Sequence, residues 1–339
     1  VNLEGDMEAR GSIFVKPTGT VYTLHDARIR MVPNEIIFGR DTVADPQGHI
    51  GIVTGGLHHN SLRHLTYDIN IEAQNLLAYN HPKKQDKESF WGIVYGTGNC
   101  RIKGGPGETT MNIDLTPEKN TSLTYNAAST GDAGPSNFIR WVGLPEDSTG
   151  LQAAADTAGH TARATARQAI VIPGYDDIPS DLHMNFVLHT NPNLTLGVLL
   201  DETTGDNIRL NGSGIIRATY YNKGAFQLFG NYSVSYGQYN LTIQDIIRKQ
   251  FIFQPGSTIA FGGDPFNAAL NLKASYIINS VPLGDLGLGS SFSGNNTKVN
   301  CLLNIEGTPG APTVTFGLDL PSLSPDAQQM VRSVLNSEQ

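Results

Sequence analysis

The sequence predicts an all-β protein in which short strands stack side by side into an elongated, solenoid-like sheet. Three observations lead to this fold class. Apolar and polar residues alternate with a period of two over long stretches, which is the pattern of strands with one apolar and one polar face. Clusters of Gly, Pro, Asn and Asp separate about twenty such runs. Units of roughly 15–25 residues recur, and the absence of a regular βαβ alternation excludes a doubly wound fold.

The first strands can be placed from their turns. Runs at 11–16 and 20–25 are joined through Pro17-Thr18-Gly19, and runs at 27–32 and 35–38 are joined through Pro33-Asn34. Pro and Asn are typical turn residues because they restrict or tolerate the backbone angles that a turn requires. The charged stretch 80–89 is predicted to be a loop.

The clearest alternation runs from Phe226 to Tyr276, interrupted at Gly237. Four further runs downstream and upstream share the period of two. We predict that the apolar positions of all these runs line one continuous surface. These positions are Leu182, Met184, Phe186, Leu188, Leu194, Leu196, Val198, Leu200, Phe226, Leu228, Tyr232, Val234, Tyr236, Leu241, Ile243, Leu270, Leu272, Ala274, Val299, Leu303, Ile305, Val314, Phe316 and Leu318.

Two short helices are predicted among the strands. The segment 243–249 lies between two strand patterns and reads as a short helix. Near the end of the chain, Ser324 can cap a helix over 324–337 and Pro325 suits its first position. Within that helix Met330, Val334 and Ala327 are predicted to share the apolar face.

The composition excludes several functional classes. The chain has 339 residues and a net charge of −8, which argues against a nucleic-acid partner and gives no support for a polybasic membrane patch. No run approaches the roughly 18 apolar residues that span a bilayer. The chain opens at Val1 without a basic or apolar leader, so we expect it to be a piece of a longer protein.

No catalytic or metal-binding constellation stands out. His58 and His59 are adjacent, so on a strand they point to opposite faces and cannot both serve one metal together with His64. Glycine clusters lack the Lys-Ser/Thr of a phosphate loop, and no G-x-S-x-G elbow occurs. We therefore expect no enzyme activity, no metal and no cofactor. Cys100 and Cys301 lie in phase with apolar neighbours and are expected to be unpaired and buried.

The alternation leaves open what covers the apolar face. In a soluble sandwich a second sheet covers it, and in an outer-membrane barrel lipid covers it. Periodicity alone does not separate these architectures, although strands of about 5–9 residues are short for a membrane barrel.

One motif links the chain to a known family. The phrase F-x-x-Q-P-G-S-x-I-x-F-x-G-D-P at 251–265, followed by A-x-L-N-L-x-A-x-Y at 268–276, resembles the C-terminal domain of the TamB family. The resemblance extends from Leu182 to Leu320 and, more weakly, upstream through Gly55-Gly56-Leu57-His58-His59-Asn60 and Phe90-Trp91-Gly92. It implies a curled, taco-shaped sheet with an open hydrophobic groove, and it makes the apolar positions above the lining of that groove.

The resemblance also implies a domain plan, a function and a location. Residues 1–143 would be upstream groove repeats, 144–168 a flexible or helical insertion, 169–322 the TamB C-terminal-like domain and 323–339 a short helix. The protein would lie in the periplasm of a Gram-negative bacterium, with its membrane contact and inner-membrane tether in segments absent from this chain.

There it would carry phospholipid acyl chains between the membranes and support outer-membrane protein assembly with an Omp85-class partner, TamA-like or BamA-like. Two alternatives stay open. One is a chaperone that pairs its sheet edge with client strands, and the other is a closed sandwich serving as a structural or adhesin module.

Overall fold

The computed structural model describes residues 3–16, 18–83, 90–127, 180–224, 226–243, 247–282, 296–309 and 311–337. Seventeen strands form a single mixed sheet, and one α-helix follows the last strand. The predicted fold class, an elongated curled sheet of β-strands with few helices, is confirmed.

The strands are β1 (Gly5–Val15), β2 (Thr20–Val32), β3 (Glu35–Ala44), β4 (Ile50–Asn60), β5 (Arg63–His81), β6 (Phe90–Gly105), β7 (Glu108–Pro117), β8 (Thr121–Asn126), β9 (Asp181–Thr190), β10 (Leu194–Leu199), β11 (Asn207–Tyr221), β12 (Gln227–Ile243), β13 (Ile247–Phe253), β14 (Thr258–Gly263), β15 (Ala269–Pro282), β16 (Asn296–Thr308) and β17 (Ala311–Asp319). The helix is α1 (Pro325–Ser337), and a 3-10 turn spans Pro265–Asn267.

The sheet follows the order of the chain. Strands β1 to β6 pair as consecutive antiparallel neighbours. Strands β7 and β8 then lie end to end in one row beside β6. In the same way, β9 and β10 form one row beside β11. Strands β13 and β14 form one row beside β12. Parallel pairs β7–β9 and β8–β10 join the two halves. The seventeen strands thus make fourteen rows, about 60 Å at the usual spacing between strands.

The sheet has two open edges. Within the described residues, β1 pairs with β2 alone and β17 pairs with β16 alone. Because the edge strands β1 and β17 do not pair with each other, the curled sheet does not close into a barrel.

Breaks within the rows let the sheet bend. The chain leaves the ladder at 118–120, 191–193 and 254–257, between the strands that lie end to end. The register also shifts within the pairings β3–β4, β5–β6 and β11–β12. Extra residues of this kind bend a strand and increase its twist, so the rows curl around one face.

Two expectations about the elements need correction, and three stay untested in whole or in part. The runs at 20–25 and 27–32 form the single strand β2, which passes through Asp26 at a φ of 54°. The helix predicted over 243–249 is wrong at its end, because 247–249 belong to β13 and pair with β12. Residues 84–89 of the predicted loop and the predicted insertion at 144–168 lie outside the described residues. The proposed domain boundaries stay predictions.

The helix α1 begins as predicted but presents a different face. The hydroxyl oxygen of Ser324 accepts the N–H of Ala327 at 3.4 Å, as a capping residue does. Val331 is fully buried and packs with Val299 and Leu320, whereas Met330 is half exposed. The prediction was therefore wrong for Met330, and α1 covers one end of the sheet through Val331.

A buried carboxylate holds the turn between β3 and β4. The side chain of Asp45 is fully buried, and its Oδ1 accepts the backbone N–H groups of Gln47 and His49 at 2.9 Å. Its Oδ2 lies 2.9 Å from Nδ1 of His49 and accepts the N–H of Leu77 at 3.0 Å. Burial raises the pKa of this carboxyl, but the hydrogen bonds outweigh burial and leave the pKa below its ordinary value.

We expect the Asp45→Asn substitution to lower the free energy of unfolding by about 1–3 kcal/mol at neutral pH. Because the pKa is depressed in the folded state, the carboxylate stabilises the fold above its unfolded pKa of about 4 and stops doing so as the pH falls through the lower, folded value. Urea unfolding at pH 7 and pH 3 measures this. The difference from the parent should shrink at pH 3, and Asp6→Asn on exposed β1 should behave like the parent at both pH values.

Candidate functional site

The strand registers define two continuous faces of the sheet. We call the face that carries Leu303 the inner face and the opposite one the outer face. Leu303 lies opposite Ala274 on one side and Phe316 on the other, and Ala274 lies opposite Phe253. Directly opposed residues point to the same side of a sheet, so the inner face can be followed row by row.

The structure brings most of the predicted surface residues together on the inner face. Leu182 to Leu188 in β9 lie in the same phase as Ile216, Ala218 and Tyr220 of β11. The predicted positions on this face are Leu182, Met184, Phe186, Leu188, Leu194, Leu196, Val198, Leu228, Tyr232, Val234, Leu241, Leu270, Leu272, Ala274, Val299, Leu303, Ile305, Val314, Phe316 and Leu318. Leu200 and Phe226, just outside strands, pack against the same apolar clusters. Ile243 ends β12, where it pairs with Ile247.

Tyr236 is the exception, because the structure places it on the outer face with 54% of its surface exposed. In the pairing with β11, Val234 lies opposite Gly212 and Tyr236 lies opposite Asn211, so Ser235 is an extra residue in β12. Such a bulge inverts the phase of the alternation. The prediction that Tyr236 lies on the inner face was therefore wrong. After the bulge, Tyr239 and Leu241 lie on the inner face in the new phase.

Side chains of the sheet cover one another in the second half of the inner face. Tyr232, Val234, Phe253 and Leu303 are each at most 2% exposed and belong to one apolar cluster. A side chain on one face of a single layer cannot be this buried unless something lies across from it. The curled rows from β11 to β16 therefore pack against each other around these residues.

The first half of the inner face is less covered. Ile71, Cys100, Ile113 and Phe186 occupy one line across β5, β6, β7 and β9, and each is only partly buried. A parallel line runs through Ile69, Ile102 and Met111 and ends at the buried Met184. This stretch offers more apolar surface to a ligand than the stretch around Leu303, where only the side chains around the buried cluster remain partly exposed.

Charge is rare on the inner face. Across the described strands, the registers place only two charged side chains there, Asp41 and Lys249. Asp41 is buried, and its Oδ1 accepts the backbone N–H of Arg28 at 2.7 Å. The outer face carries the ion pairs, including Arg101 with Asp68 at 2.7 Å. The contrast between the faces is what a sheet that binds an apolar ligand on one side requires.

Both cysteines lie on the inner face as free thiols. They are partly buried, so the expectation of full burial was too strong. Burial raises the pKa of the Cys100 thiol to about 11, and burial also raises the pKa of Cys301. A raised pKa keeps a thiol protonated and unreactive near neutral pH, so both behave as small apolar side chains.

Several inner-face residues were not among the predicted positions. Leu210, Ile216, Tyr239, Phe251 and Phe253 are all buried in the same cluster as Leu303. Phe251 and Phe253, at the start of the sequence motif at 251–265, are two positions apart and so follow the period of two. Tyr239 is likewise two positions from Leu241. The period of two was therefore sufficient to find these three residues.

A comparison with protein-family models matches residues 40–338 to the TamB C-terminal domain. The chain belongs to the TamB family. The matched residues contain the inner face from β4 to β17 and the whole of α1. Membership gives the protein a TamB-like role in outer-membrane biogenesis and assigns it to the envelope of Gram-negative bacteria, where TamB proteins work with an outer-membrane partner. No curated protein and no solved structure matches the chain significantly.

The described part of the chain holds no helix of the length and apolarity needed to cross a membrane. Within it, α1 is the only α-helix, and its thirteen residues are fewer than a span requires.

Proposed function

We propose that the inner face carries the acyl chains of phospholipids between the inner and outer membranes, from a position in the periplasm. The observation that supports this most is a single apolar face continuing through fourteen rows with two charged side chains in the described strands. Each methylene that leaves water for such a surface contributes about 0.8 kcal/mol. A face that is apolar along its whole length has no single deep minimum, so a chain can slide along it.

The proposed role includes an Omp85-class partner, TamA-like or BamA-like, with which the protein would support outer-membrane protein assembly. The protein would do no covalent chemistry, because its task is to move or hold an apolar chain. An open edge at β17 supplies the surface on which a partner strand could pair.

Photocrosslinking at two adjacent positions tests the lipid role. Ile113 lies on the inner face and is partly buried, whereas Asn112 lies on the outer face and is exposed. A benzoylphenylalanine at position 113 in bacterial envelopes should form adducts with phospholipid, identified by mass spectrometry, and one at position 112 should form few.

Equal lipid adducts at both positions, or none at position 113, would contradict the proposal. Adducts at position 113 with outer-membrane protein segments instead of lipid would favour the chaperone alternative. The two positions are neighbours in one strand, so the comparison keeps the place along the sheet constant and changes only the face.

A further inference from the structure

Lys249 is the one cation that the described strands place on the inner face. It lies opposite Leu241 of β12, and Phe251 follows it on the same face. Leu241 is 5% exposed and Phe251 is 4% exposed, so the lysine stem lies among buried apolar side chains. A charge in such surroundings is costly unless a partner compensates it.

The protein compensates this charge only in part. The Nζ atom donates to the Tyr276 hydroxyl at 3.2 Å and lies 4.7 Å from the centre of the Tyr276 ring. Within the described residues it forms no ion pair with a carboxylate. Its charge opposes the rise that burial gives the pKa of the neighbouring Cys301 thiol. An ammonium group has three donor hydrogens, so two remain after Tyr276 is bound.

The position of Lys249 within its strand defines what it can meet. Strand β13 begins at Ile247 and β12 ends at Ile243, so the lysine lies near the margin of the sheet. Beside Tyr276 on the same face lie Cys301 and Leu318, which are only partly buried and leave apolar surface near the lysine. A cation at the margin with an apolar surface beyond it matches an amphiphile that has an anionic head and apolar tails.

We propose that Lys249 and the Tyr276 hydroxyl bind the phosphate group of a phospholipid whose acyl chains lie on the inner face. This inference rests on the proposed function and adds the headgroup contact to it. A soluble phosphate would meet a single cation here and gain nothing from the apolar surface. The lipid phosphate also gains the burial of its chains, so the lipid is the better occupant.

The test compares two lipids with identical chains. Purified protein in maltoside detergent is offered equal amounts of dioleoylphosphatidylglycerol and dioleoylglycerol, and native mass spectrometry measures the ratio in which they are bound. The parent should prefer the phosphate-bearing lipid. Lys249→Met keeps the length of the stem but removes the charge, and it should reduce the ratio about fivefold, the loss of about 1 kcal/mol.

Three further variants sharpen the comparison. Lys249→Arg should retain the preference, and Tyr276→Phe should reduce the ratio by a smaller factor. Lys273→Met makes the same chemical change on the exposed outer face of β15 and should leave the ratio unchanged. Circular dichroism melts of each variant establish that the fold is intact.

The outcomes separate this inference from the proposed function. If the parent binds both lipids and Lys249→Met leaves their ratio unchanged, the headgroup contact is overturned while lipid carriage stands. If the parent binds neither lipid, the proposed function fails and this inference fails with it. Displacement of phosphatidylglycerol by millimolar glycerol 3-phosphate, without loss of dioleoylglycerol, would show a soluble phosphate site and overturn the lipid as occupant.

Discussion

Replacing Leu303 with aspartate should prevent the second half of the sheet from folding. Leu303 is fully buried at the centre of the apolar cluster, opposite Ala274 and Phe316. An ionised carboxylate there would lose its hydration without gaining a partner, and the cavity left by leucine adds to the cost. We expect a loss of more than about 4 kcal/mol in the free energy of unfolding, measured by urea unfolding followed by circular dichroism.

The cross-strand partner of Leu303 gives a matched comparison. Phe316 points to the same face but lies on the edge strand β17 with 44% of its surface exposed, so water can reach a carboxylate there. Phe316→Asp should cost about 1–2 kcal/mol and still fold. Thr315→Asp, on the exposed outer face of the same strand, should be close to neutral. A Leu303→Asp variant that unfolds at the same urea concentration as the parent would show that the rows around this residue are not packed together.

The Gly55→Ala substitution should destabilise the sheet almost as strongly through its backbone. Gly55 has a φ of +110°, where residues with a side chain are strained, and a Cβ atom at this position would lie 2.0 Å from the carbonyl oxygen of Asp68 in β5. The strain and the displaced backbone together should cost about 3 kcal/mol or more. Thermal melts of the purified variant measure this loss.

Gly39→Ala is the control for this prediction. At Gly39 the nearest atom to an added Cβ is the carbonyl oxygen of Arg28, 4.0 Å away. This variant should melt within a few degrees of the parent. Equal effects at the two glycines would mean that the close approach of β4 and β5 at Gly55 is not required by the fold.

The sequence was sufficient for the inner face wherever strands pair without interruption. The phases of Leu182 to Leu188, Leu270 to Ala274 and Leu303 to Ile305 all agree with the structure because an unbroken antiparallel ladder preserves the alternation. The family motif then indicated that these separate strands belong to one curled sheet. Neither step required knowledge of the turns.

Local irregularities of the strands could not be predicted from the sequence. The extra residue at Ser235 inverts the phase for Tyr236, and nothing in the run Ser233–Gly237 distinguishes a bulge from a regular strand. The segment 247–249 was predicted as part of a helix, but it pairs with strand β12. Pairing with a neighbouring strand overrides a weak local preference for helix. In α1, Val331 rather than Met330 is buried because it is Val331 that packs against Leu320.

Coverage of the inner face was also not predictable. Alternation shows which residues share a face, but it does not show how far the two sides of a curled sheet approach each other. Tyr232 and Phe253 are nearly inaccessible, whereas Ile71 and Ile113 remain partly open, and all four have the same phase. The difference arises from contacts between rows that are distant in the sequence.

The order of strands has a consequence for how the chain acquires its structure. Because nearly every row pairs with the row that precedes it in the sequence, each strand finds its partner already in place as the chain emerges in the amino-to-carboxyl direction. Local pairing of this kind is fast. Strands β9 and β10 also pair with the preceding row, β7 and β8, but in parallel and across a long separation in sequence. Bringing together strands so far apart in the sequence carries an entropic cost before any contact is gained, so the joining of the two halves should be the slow event in folding.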